Sequence, residues 1–148
     1  MPADGKTPQR PTRKTYGRTM IYRWFVRKQA LAVWAKLSDQ RIDEIPLADG
    51  VHFVYLGDHE LAADLHGAEA ERAWLRDEFF RRFPNLRFEV EDMIVEGGPW
   101  STRVATRYAA TRNGEVVYRG INVGRIVWGK IVEERIMPDT QALAAALG

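Results

Sequence analysis

The chain has 148 residues, 45% of them hydrophobic, with 22 basic and 20 acidic side chains, a formal net charge of +2 and no cysteine. That length builds one domain with a sizeable core but not two, and the absence of thiols excludes disulfides, a cysteine nucleophile and thiolate metal sites. The basic excess is confined to residues 1–18, where Lys6, Arg10, Arg13, Lys14 and Arg18 oppose Asp4 alone. The rest of the chain is slightly acidic and presents no basic-aromatic stripe, so no nucleic-acid partner is expected.

Residues 1–18 are rich in Pro, Thr and Arg and carry little apolar surface to bury, which predicts a disordered basic tail ahead of one domain at 19–148. The N-terminus lacks the apolar core of a signal peptide, and no apolar run approaches the ~20 residues of a membrane span. A cytoplasmic protein without a membrane partner is expected.

Over residues 19–37, Ile21, Trp24, Phe25, Leu31, Trp34 and Ala35 recur at three- and four-residue intervals, which predicts an amphipathic helix with that stripe facing the core. Ser38 stands where a second, short helix through Ile45 would take its N-cap, and Pro46 would stop it. Residues 51–56 read as a short strand followed by a polar loop. Residues 68–83 predict a third helix bearing Ala70, Ala73, Trp74, Phe80 and Phe83, with Glu69 and Glu71 suited to its N-terminal dipole and Pro84 ending it. Trp24, Trp34 and Trp74 are expected in the core.

Four strands follow. Residues 86–95 alternate apolar and polar, Gly97-Gly98-Pro99 breaks the chain, and residues 103–108, 115–128 and 130–137 form the remaining three. Asn113-Gly114 and Trp128-Gly129 suit tight hairpin turns. Pro138-Asp139-Thr140 opens a C-terminal helix, with Asp139 read either as its N-cap or as a buried carboxylate at a pocket mouth.

This order, carried by His52-Phe53-Val54, Gly57-Asp58-His59 before Gly67, Phe83-Pro84-Asn85-Leu86-Arg87-Phe88, Gly97-Gly98-Pro99-Trp100-Ser101-Thr102-Arg103-Val104-Ala105, Arg125-Ile126-Val127-Trp128-Gly129-Lys130-Ile131-Val132 and Asp139-Thr140-Gln141, resembles the NTF2-like superfamily and, more narrowly, its SnoaL-like branch. The resemblance implies an α+β cone: three N-terminal helices packed on a strongly curved, mixed, mainly antiparallel sheet that encloses a pocket. Related domains include polyketide cyclases, ketosteroid isomerase, epoxide hydrolases and modules without catalysis, so the fold does not select the function. In the cyclases and the isomerase an acidic residue on the long strand stands three positions before an Arg that leads into the Gly-Lys turn. Arg125 matches that Arg, and Asn122 occupies the acidic slot, where it can hold an oxygen but cannot transfer a proton at neutral pH.

Strand alternation places Tyr118, Gly120, Asn122 and Gly124 on one face, and Thr102, Val104, Thr106 and Tyr108 on one face of the strand before it. Turned inward, Tyr118, Tyr108 and Thr106 would line a ligand pocket walled by Trp34, Tyr55 and Trp74. Gly120 and Gly124 would either leave ligand room or permit curvature. Asn122 is the candidate oxygen-holding group, and His59, in the loop after the first strand, and Asp139 are the candidates for moving a proton. His52, His59 and His66 with Asp58 or Asp64 invite a metal reading. Loop ligands without close pairs argue against it, and no metal or cofactor is expected. Glu89, Glu91, Glu133 and Glu134 supply further carboxylates, the first two expected on a solvent or dimer face. No Ser-His-Asp order, phosphate loop or dinucleotide fingerprint occurs. Two functions remain. One is an enzyme that cyclises, isomerises or hydrates an apolar oxygenated molecule such as a polyketide, terpene or steroid. The other is a non-catalytic ligand- or protein-binding module, homodimeric through its outer sheet face.

Overall fold

The computed structural model describes residues 13–148, and residues 13–16 by backbone alone. Residues 1–12 of the expected tail lie outside the described residues. The first helix, α1 (Arg13–Ser38), begins ahead of the expected Thr19, so residues 13–18 are helical. A single 3-10 turn (Ile42–Glu44) leads to β1 (Leu47–Tyr55) and β2 (Ala63–His66). Then come α2 (Ala68–Trp74), a π-helical turn (Leu75–Phe79) and α3 (Phe80–Arg82), which run as one continuous helical segment. Four strands, β3 (Arg87–Gly98), β4 (Ser101–Arg112), β5 (Glu115–Val127) and β6 (Lys130–Pro138), precede α4 (Thr140–Leu147). Among the described residues no helix is long and apolar enough to cross a membrane.

The strands form one six-stranded mixed sheet in the order β2-β1-β6-β5-β4-β3, parallel only between β1 and β6. The α+β class and the mainly antiparallel ladder agree with expectation. The sheet is not strongly curled into a cone; its irregularities are local register shifts, such as those between Val90 and Asp92 and between Arg125 and Ile126. Both hairpins close as their residue pairs require: Asn113 and Gly114 have φ of 53° and 80°, and Trp128 and Gly129 have 48° and 80°. Two successive left-handed residues give the turn that matches strand twist.

Three further expectations are corrected. The second helix is reduced to the 3-10 turn, because Ser38 is not a cap. It ends α1, its hydroxyl accepts the Phe88 N–H at 2.9 Å, and Gln40 turns left-handed immediately after. The polar loop after β1 contains a strand, β2, which pairs antiparallel along the sheet edge. The stripe chosen for α1 is largely the wrong face. Val26 and Trp34 are buried, with Tyr22, Ala30, Val33 and Leu37 packed against the core, while Ile21, Phe25 and Leu31 are exposed and Trp24 is 58% exposed. The helix is apolar on more than one side, so the period identifies a helix without saying which side the sheet covers. Tyr22 ties the covered side down through a 2.5 Å hydrogen bond between its hydroxyl and Thr102 Oγ1.

Candidate functional site

Between α1, α2 and the inner sheet face lies a cavity of about 120 Å³, walled chiefly by aromatic and aliphatic side chains. That volume exceeds several-fold the ~10–15 Å³ by which one water needs to be accommodated. Alternation in the strands decides what reaches it. Phe53 and Tyr55 come from β1, Val104, Thr106 and Tyr108 from β4, Tyr118, Asn122 and Gly124 from β5, and Glu134 and Ile136 from β6. From above, α1 contributes Trp34 and α2 contributes Glu71 and Trp74. The rings interlock: Trp34 lies 4.9 Å from Tyr108, and Trp74 lies 5.0 Å from both Phe53 and Tyr55, measured between centroids. The π-helical turn follows Trp74 directly, and Trp74, Leu75, Phe79 and Phe80 are all buried.

Three tyrosine hydroxyls converge within this apolar wall. Tyr55 and Tyr118 are hydrogen-bonded at 3.2 Å, and the Tyr108 hydroxyl interacts with both. Burial pushes all three phenols up from their ordinary value. They therefore remain neutral and act as hydrogen-bond donors rather than bases.

The second polar feature is a pair of carboxyls. Glu71, 2% exposed, meets Glu134 of β6, which sits opposite Gly124 on one side and Phe53 on the other. Burial first, and then the neighbouring Glu134 carboxylate, push the Glu71 carboxyl far above the usual carboxylate range. Burial also raises Glu134, while a hydrogen bond from Glu71 opposes that rise. Both carboxyls are thus raised, the arrangement in which like charges in a dry site share one proton. Glu71 Oε2 and Asn122 Oδ1 are buried without a hydrogen-bond partner, and each leaves an unmet polar group at the cavity wall. Such orphans cost about 1–3 kcal/mol apiece, a cost that a ligand with matching polar atoms removes.

The expected ligand-lining residues Tyr118, Tyr108, Trp34, Tyr55, Trp74 and Thr106 all border this cavity, as does Asn122, which pairs with Thr106 across β4 and β5. His59 and Asp139 do not border it. His59 Nε2 contacts the Leu56 carbonyl at 3.0 Å, its Nδ1 accepts the Leu61 N–H, and its ring meets the outer edge of Tyr55. Asp139 is exposed and accepts the Ala142 N–H at 3.1 Å as the N-cap of α4. The cap reading of Asp139 holds, and the carboxyls that border the cavity are Glu71 and Glu134. Gly120 leaves no ligand room either: a Cβ there would lie 2.5 Å from the Tyr108 hydroxyl, which fills the space.

Sequence reasoning passed over the carboxyl pair. Glu71 was assigned to a helix dipole, yet it stands three and four residues before the buried Trp74 and Leu75, a charge set within an apolar stripe. Glu134 alternates with Glu133 and shares its face with Ile136, a signal that strand parity alone carries.

Residues 28–134 match the family model of the SnoaL-like domain. No curated protein matches the chain. Among solved structures, Bal32a from a soil-derived mobile gene cassette aligns with a TM-score of 0.66 at 13% identity, covering 82% of this chain and 95% of that one. An NTF2-like protein of Burkholderia thailandensis aligns at 0.56 and 20% identity over 81% and 95%, and a candidate polyketide cyclase of Xanthomonas campestris at 0.58 and 14% over 86% and 99%. At these identities the likeness is one of fold.

Proposed function

The chain belongs to the SnoaL-like domain family, and on that premise we propose that it binds a small, apolar, oxygenated molecule of polyketide, terpene or steroid type and catalyses a proton transfer on it. The observation that carries this reading is the pairing of buried Glu71 with half-buried Glu134 at the wall of an aromatic cavity. A structural carboxyl pair there would be costly, since an apolar site penalises each charge and only the shared proton relieves the repulsion. The same arrangement suits general acid-base chemistry near neutral pH.

Protonated Glu71 gives its proton to a ligand oxygen, carbonyl or epoxide. Glu134, as carboxylate, takes a proton from the adjacent carbon or from a water that adds to the ligand. The sum is an isomerisation or cyclisation in the first case and a hydration in the second, with no external oxidant or reductant. Asn122 and the neutral tyrosine hydroxyls hold the oxygen as negative charge develops, and the aromatic wall excludes bulk water. The candidate polyketide cyclase among the neighbours agrees with such a substrate class.

The test is a panel of steroid, terpene and polyketide-derived ketones and epoxides, followed by quenching of the fluorescence of Trp34 and Trp74 and by product analysis. A ligand that is turned over should lose at least about 10²-fold in rate on Glu134→Gln while still binding. Turnover that survives both Glu134→Gln and Glu71→Gln would sink the assignment.

A second reading draws on the outer sheet face, where Ile94, Ile121 and Val123 are exposed and Ile94, Ala105 and Val123 lie in one cross-strand row. A homodimer formed through this face would cover that row. Sedimentation of wild type and Ile121→Asp distinguishes a dimer broken by the charge from a monomer unaffected by it.

A further inference from the structure

Pairing of β1 with β2 sets His52 directly opposite His66, and Asp64, two residues before His66, points to the same side. This is the outer side, away from the cavity, since Phe53 and Tyr55 carry the inner one. The two imidazoles stack with centroids 4.3 Å apart and planes within 7°. His52 Nε2 lies 2.7 Å from Asp64 Oδ1 and His66 Nε2 lies 3.7 Å from the same atom. All three ligand atoms fall within 4.8 Å of one another.

We propose that His52, Asp64 and His66 form a binding site for one divalent transition-metal ion of the zinc class. Two imidazole nitrogens and a carboxylate oxygen are a donor set suited to Zn²⁺. A tetrahedral ion with bonds of about 2.0–2.2 Å sets its ligand atoms roughly 3.3 Å apart, and the observed 2.7 and 3.7 Å bracket that value. Rotation of the two stacked rings about their side-chain torsions, so that both nitrogens aim at one ion, would complete the geometry on Cα positions that the ladder already holds. A plain His52–Asp64 hydrogen bond accounts for the shorter contact but not for the second ring, whose nitrogen converges on the same oxygen at a distance beyond hydrogen bonding. Glu133 pairs with His52 across the parallel β1–β6 ladder and, held by Arg125 at 2.8 Å, adds a carboxylate beside the site. Asp64 and His66 are exposed, so an ion has free access and a fourth position stays open to water or to a donor from another molecule.

Zn²⁺ titration of the full chain by calorimetry tests the site, with Co²⁺ as a spectroscopic substitute. The expected result is saturation at one ion per chain, affinity weakened more than about tenfold by either His66→Ala or Asp64→Asn, and visible Co²⁺ absorption of a low-coordinate ion that the same substitutions abolish. Both residues are exposed, so the metal-free melting temperatures of the variants should match wild type. Absence of saturable binding overturns the proposal. So does binding that survives both substitutions, or binding that is lost in His59→Ala while intact in His66→Ala.

Discussion

Glu133 and Glu134 are neighbours on β6 and occupy opposite electrostatic worlds. Glu133 faces outward, accepts a 2.8 Å hydrogen bond from Arg125 Nε, and is held below the usual carboxylate range by it. Glu134 faces the cavity, where burial raises it and its partner is another carboxyl. Identical side chains one peptide apart thus become a solvated ion-pair partner and half of a proton-sharing dyad. What differs is the face of the strand, and with it the dielectric and the neighbouring charge.

The contrast is sharpest in its pH dependence. Glu71 has a folded-state value raised far above its unfolded value near 4.5, so its contribution to stability is fully present below that pH and is lost as pH rises toward the folded value. Each unit of upward shift costs about 1.4 kcal/mol of stability in the ionising range. Chemical denaturation across a pH series should therefore show wild type losing stability above pH 4.5 and Glu71→Gln losing much less. Parallel curves would mean that the inner face is no drier than the outer.

A smaller effect tests how tightly the inner face is packed. Gly120→Ala drives a methyl onto the Tyr108 hydroxyl, and should cost about 1–3 kcal/mol in denaturant unfolding and disturb the tyrosine cluster. No loss would show that Tyr108 moves freely and that the cavity is larger than it stands. The smallest effect belongs outside. Arg125→Ala removes the Glu133 partner in a solvent-screened setting and should change stability by less than about 1 kcal/mol, shrinking further at high salt. A larger loss would mean that the outer face is covered, as a homodimer would cover it.

Much of the architecture was legible in the chain. Asn113-Gly114 and Trp128-Gly129 placed the two hairpins, and alternation placed Tyr118 with Asn122 on one face of β5 and Thr106 with Tyr108 on one face of β4, all four of which border the cavity. Local rules suffice there because turn conformation and side-chain parity are properties of a few consecutive residues. The strand β2 was passed over because Ala63–His66 alternates over only four residues, too short a run to stand out from a polar loop. The metal reading of His52, His66 and Asp64 fails in the sequence for the same reason, because only the β1–β2 pairing brings the three together. The covered face of α1 was misjudged because Ile21, Trp24 and Phe25 satisfy a helical period as well as Tyr22 and Val26 do.

By itself, then, the sequence determined the first helix, the helical segment after residue 68, the order of the four long strands with the turns between them, and the aromatic character of the cavity wall. Tertiary structure alone decided which carboxyls matter. Glu71 and Glu134 are 63 residues apart in the chain, and neither is unusual until the fold brings them together at the cavity wall and buries Glu71. A pKa is raised by what surrounds a group in space, and that surrounding exists only once distant segments have been brought together.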